Sequence, residues 1–151
     1  MHQRRKAREV TLQVLYELDV LGIGIQEAID RFWANFEAPE EARKFSSFLI
    51  EGTWNNREEI DGLIGGSSEN WTMARMSRVD KSILRMAVYE LLYCHDIPPK
   101  VTLNEAIDLG KVYGSENSGA FINGILDALY GKLRKKDEDH DIDGLTGSAG
   151  S

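Results

Sequence analysis

The chain has 151 residues, 42% of them hydrophobic, enough to bury one real core and too many for a wholly disordered protein. Its formal net charge is -7, yet five of the 25 acidic residues fall in "DEDHDID" at 137–143, leaving 20 acids against 18 bases elsewhere. The rest of the chain is close to neutral, and a local basic patch can dominate one of its surfaces.

No apolar run approaches the roughly 18 to 20 residues of a membrane span, and the amino terminus has charge without the apolar segment of a secretory signal. The single cysteine, Cys94, lies in the apolar run "MAVYELLYCHDI" and reads as a small buried hydrophobe. A cytoplasmic protein is expected.

Six segments carry a helical period and none a convincing strand alternation, so an all-α fold is expected. The first helix runs from about Arg5 to Leu21. Val10, Val14, Leu15, Leu18 and Leu21 share one arc, while Arg5, Arg8 and Tyr16 cluster on the opposite flank. A second helix, about Ile25 to Phe36, carries Ile29, Phe32, Trp33 and Phe36 at helical spacing. The third follows Pro39, has Glu40 and Glu41 at its positive end, and runs to about Leu63. "GGSSEN" then marks a break, which divides the folded part, 1–136, into helical halves of about 1–65 and 70–136.

The fourth helix, about Val79 to His95, is apolar nearly all round and belongs at the centre of a bundle. Arg85 and Glu90 within it must find partners or reach water. Pro98 and Pro99 end that helix, and Thr102 with Glu105 reads as a capping box for a fifth, which stops at Gly114. Ser115 or Ser118 caps a sixth, about Gly119 to Lys135. The polar stretch 137–151 reads as a flexible acidic tail.

Nothing in the chain suggests catalysis or a bound cofactor. The three histidines stand at 2, 95 and 140, with no metal-ligand spacing, paired cysteines or phosphate loop. The charged start is more informative. Arg4, Arg5, Lys6 and Arg8 put four cations at the positive end of a helix dipole, a poor arrangement for stability and a good one for phosphate. A solvated terminus would give the same string. Phe121, at the edge of the sixth helix's apolar stripe, adds a ring on which an unpaired base could stack, unless it tucks into the seam between helices.

"RRKAREVTLQVLYELDV" at 4–20 and the stretch 79–129, with "ILRMAVYEL", the proline pair before "VTLNEAI", and "FINGILD", resemble the NusB family of bacterial transcription antitermination factors. The resemblance is loose through 22–78 and tight afterwards. It implies two packed helical subdomains, no enzymatic activity, and binding to the single-stranded boxA element of ribosomal RNA leaders. The implied partners are the ribosomal protein NusE and RNA polymerase with NusA and NusG. A homodimer formed through the RNA face is an implied resting form.

By the same resemblance Arg4, Arg5, Lys6 and Arg8 would contact phosphates, Tyr16 would share their surface, and Phe121 would stack on a base. Asn117 and Ser118 would border the RNA, and Asp80 would meet NusE. Asn117 stands where the family usually has an acidic residue, so less repulsion toward phosphate is expected. Ribosomal RNA methyltransferases can carry a similar domain, but these 151 residues hold no glycine-rich cofactor loop. The competing reading is a helical protein-interaction adaptor that binds no RNA. A salt titration separates the two, because phosphate contacts weaken steeply with ionic strength.

Overall fold

The computed structural model describes the backbone of residues 2–67 and 76–150 and the side chains of 3–67 and 76–135. It is all-α among the described residues: α1 (His2–Leu21), α2 (Ile25–Asn35), α3 (Glu40–Asn55), α4 (Arg57–Ser67), α5 (Arg78–Tyr93), α6 (Pro99–Tyr113) and α7 (Ser118–Gly150). None of the helices is long and apolar enough to cross a membrane, among the described residues.

The apolar arc expected on α1 is buried, with Val14, Leu15 and Leu18 almost fully covered, although Leu21 at its end is exposed. Gly22 closes α1 at φ +64°, in the left-handed region that favours glycine, and its N–H returns to the Leu18 carbonyl at 3.2 Å. On α2, Phe32 packs edge-on against Trp33 at 5.0 Å between centroids and stacks on Phe36 at 4.6 Å.

Where one helix was expected from Pro39 to Leu63, the chain forms two. The N–H of Asn56 reaches the Gly52 carbonyl at 3.1 Å and its Nδ2 reaches the same oxygen at 2.7 Å, ending α3 before α4 starts at Arg57. An asparagine that bonds backward to the main chain competes with helix propagation. The described part of α4 reaches Ser67, and the break expected near residues 65–70 falls mostly on residues 68–75, which lie outside the described part.

As its composition demanded, α5 occupies the centre and packs against α1, α3, α4, α6 and α7. The Ser77 hydroxyl caps it by accepting from the Asp80 N–H at 3.0 Å. Ile83, Leu84, Met86 and Val88 are fully or almost fully buried. Each such side chain contributes about 1.5–3 kcal/mol by leaving water. One apolar cluster runs continuously from α1 through α5 to α7.

Arg85 and Glu90 of α5 do find partners, Glu90 in Arg8 of α1. Arg85 donates to both oxygens of Asp61 on α4 at 2.7 Å each and lies 3.6 Å from Asp19 on α1. Tyr89 lies across α3, and Gly52 is what allows it, since a Cβ at that position would collide with the Tyr89 ring. The Tyr89 ring sits between Phe48, 5.6 Å away, and Tyr93, 4.9 Å away. Cys94 is buried, and that burial is the main force raising its thiol pKa to about 11.

The capping box expected at Thr102 and Glu105 is not used. α6 starts a turn earlier, because Pro99 suits a first helical position and the Pro98 carbonyl accepts from the Val101 N–H at 2.9 Å. Thr102 is thereby interior to the helix, and its hydroxyl turns to α5 instead. α7 packs closely on α6 because Gly110 has no side chain: a Cβ there would stand 2.7 Å from Ile122 Cδ1. The α7 backbone continues past the expected end at Lys135 to Gly150, and no proline follows Pro99 to interrupt it.

Candidate nucleic-acid interface

The first turns of α1 present Arg4, Arg5 and Lys6 on the surface. Carboxylates from the second half of the chain meet two of them. Arg4 Nη2 donates to Asp96 at 3.3 Å, and its guanidinium lies 4.9 Å over the Phe45 ring. Arg5 donates through Nε and Nη2 to the two oxygens of Glu105 at 3.2 and 3.0 Å, with Asp108 at 3.5 Å. Lys6 has no ion pair among the described residues.

Arg8 differs from the sequence expectation. Only 3% of it is exposed, and its guanidinium grips both oxygens of Glu90 at 2.9 and 2.7 Å. The Thr102 hydroxyl completes this cluster at 3.3 Å from Glu90. Burial works against the Arg8 charge, but the hydrogen bonds and charge of Glu90 outweigh it and hold the guanidinium above its ordinary pKa. Arg8 thus joins α1 to α5 in the interior and is not offered to a phosphate. The helical wheel placed it correctly on the flank of Arg5 but could not show a carboxylate 82 residues away covering that flank.

Tyr16 is exposed, as its place on the wheel suggested. It lines a cleft of about 310 Å³ with Lys6, Trp33, Phe36, Glu37 and Tyr113. The Tyr113 hydroxyl donates to Glu9 at 3.1 Å, which brings the end of α6 to the polar side of α1. Phe36 and Tyr113 are about half exposed, surface aromatics that helical spacing alone does not reveal. Their position at helix ends was the available signal.

The first turn of α7 lies along α6, where a Cβ on Gly119 would stand 3.0 Å from Lys111 Cγ. Phe121 is half-buried there and packs against the core edge. Asn117 is exposed, and its carbonyl accepts from the Phe121 N–H at 3.0 Å. Ser118 is buried and accepts from the Ser115 N–H at 2.9 Å, so its hydroxyl shapes the turn and is not presented outward. The basic start of α1 and the ring-bearing start of α7 therefore share α6 as a neighbour. Asp80 lies elsewhere, in the first turn of α5, with 8% exposure and an Oδ1 that has no hydrogen-bond partner among the described residues. Arg78 in the same turn is the more exposed of the two and lies 3.9 Å from Asp19. Among the described residues, no group of three or more His, Cys, Asp or Glu is placed to hold a metal.

These features define an all-helical bundle protein whose surface joins a cationic helix start to an aromatic cleft. The NusB family profile matches residues 5–131. A protein of Syntrophus aciditrophicus (strain SB), named Transcription antitermination protein NusB, is 68% identical over 142 residues, covering 94% of this chain and 88% of its own. One of the same name from Desulfatibacillum aliphaticivorans is 46% identical, over 91% of this chain and 96% of its own. Among solved structures, T. maritima NusB matches with a TM-score of 0.77 at 36% identity, over 83% of this chain and 89% of its own. A structure of the antitermination factors NusB and NusE in complex with dsRNA matches with a TM-score of 0.79 at 28% identity, over 87% and 98% of the two chains. The chain belongs to the NusB family.

Proposed function

We propose that this protein is a transcription antitermination factor that binds single-stranded RNA of the boxA type from ribosomal RNA leaders. It acts with the ribosomal protein NusE and joins RNA polymerase together with NusA and NusG. The observation that carries the RNA-binding part is the cleft that Lys6 lines together with Tyr16 and Tyr113, with exposed Arg4 and Arg5 in the preceding turn of the same helix. Cations draw the phosphate backbone through counterion release, and rings hold unpaired bases through their faces. The names of the relatives support the antitermination role, and the neighbour's complex with NusE and dsRNA supports NusE and RNA as partners. Self-association across this face would compete with RNA.

The test is binding of a short boxA-type RNA across a salt series by wild type, an Arg4/Arg5/Lys6 alanine variant and Phe121→Ala. Arg8 is left out of the alanine set because its loss would strand Glu90 in the interior. The triple variant is expected to bind more weakly with a shallower salt dependence. Phe121→Ala should lose about ten- to a hundredfold in affinity, as removal of one stacking platform does. Equal affinity for all three proteins would leave this RNA face without support, and no binding by any of them would leave the adaptor in its place.

Asn117→Asp offers a finer check. It returns a carboxylate to an exposed position four residues before Phe121. RNA affinity at matched low salt should fall by a few-fold, with the difference shrinking as salt rises. Unchanged or stronger binding would contradict this.

A further inference from the structure

We propose that Glu105 and Asp108 are specificity-determining residues of the RNA face, because they occupy the edge of Arg5 that an RNA phosphate would otherwise take. This inference rests on the RNA-binding reading above.

A guanidinium offers five N–H donors in a fixed plane, and its Nε–Nη2 edge matches the two oxygens of a carboxylate or a phosphate. In Arg5 that edge is occupied by Glu105 at 3.2 and 3.0 Å, while Asp108 stands 3.5 Å from Nη2. Only the Nη1 end remains for a strand. The Glu105 side chain is just 18% exposed, so α6 holds its carboxylate in place, whereas Arg5 and Asp108 are more than half exposed and open to a ligand. Lys6, one residue on, has no such carboxylate among the described residues.

The face therefore carries a repulsive element beside its attractive ones. A strand whose bases fit the rings can approach Arg5 through Nη1 or exchange Glu105 for phosphate. A strand held by backbone charge alone meets two carboxylates within a Debye length of about 10 Å at 0.1 M salt. Such an arrangement disfavours the wrong ligand more than the right one.

The experiment measures affinity for the target RNA of the preceding section and for a scrambled strand of equal length, across a salt series. Wild type, Glu105→Gln/Asp108→Asn, Arg5→Ala and the combined variant are compared, with thermal unfolding confirming that each is folded. The neutralised variant should bind the scrambled strand about two- to fivefold more tightly, the scale of one exposed ion pair. The target should gain less, so that discrimination narrows. In the Arg5→Ala background the gain should largely vanish, because the released donor edge is then missing.

No gain, an equal gain on both strands, or a gain that persists without Arg5 would each overturn the proposal. If wild type binds neither strand, the RNA reading itself fails, and this inference fails with it. Loss of binding in Arg5→Ala alongside weaker binding by the neutralised variant would show that the two carboxylates position Arg5 and do not restrain it.

Discussion

Replacing Glu90 with alanine should destabilise the protein by about 3–5 kcal/mol, the usual consequence of leaving a buried charge without its counter-ion. Arg8 and Glu90 are 3% and 2% exposed, so water cannot replace the missing partner. The thermal midpoint should fall on the order of 10 °C for a domain of this size. Glu90→Gln keeps the shape and one acceptor for Arg8 and should cost less. Arg8→Ala should match Glu90→Ala, while Arg5→Ala, which removes an exposed pair, should cost less than about 1 kcal/mol. Urea denaturation of the four variants gives the comparison. A Glu90→Ala protein within 1 kcal/mol of wild type, by the scale of surface substitutions, would mean that the Arg8 cluster does not join α1 to α5.

The second large effect lies where α5 meets α3. Gly52→Ala should lose about 1–3 kcal/mol by overpacking, since any Cβ there collides with the Tyr89 ring. Helix propensity runs the other way, because alanine in a helix interior is favoured over glycine by about 1 kcal/mol. A net loss would therefore show that the close approach of α3 to the ring dominates. Tyr89→Leu should soften the clash, so the double variant should be more stable than the sum of the two single losses predicts. Additive losses would mean that the ring relocates at little cost.

Much of the fold was legible because periodicity reports burial. The stripes of α1, α2 and α7 and the all-round apolarity of α5 follow from side chains leaving water, which spacing alone reveals. The split at Asn55–Asn56 was missed because the apolar rhythm continues from Leu49 and Ile50 to Ile60 and Ile64, across a backbone interruption made by an asparagine side chain. Thr102 misled for a related reason. A capping box and an interior threonine look alike in sequence, and only the position of Glu90 shows where the hydroxyl points. In the candidate site, the exposure of Tyr16 was readable from the wheel. The fates of Arg5 and Arg8 were not, because they depend on carboxylates 100 and 82 residues distant.

That separation has a consequence for the growing chain. The cationic segment leaves the ribosome well before its counter-charges at Glu90, Asp96 and Glu105, which are 82 to 100 residues behind it. Until α5 and α6 have emerged, the amino terminus is a cluster of unmatched positive charge beside a large polyanion, and α1 lacks the anchor that fixes its orientation. The surface around these cations is complete only once α6 has emerged, so a polypeptide truncated before Asp96 would keep the charges and lack the carboxylates that pair with Arg4 and Arg5.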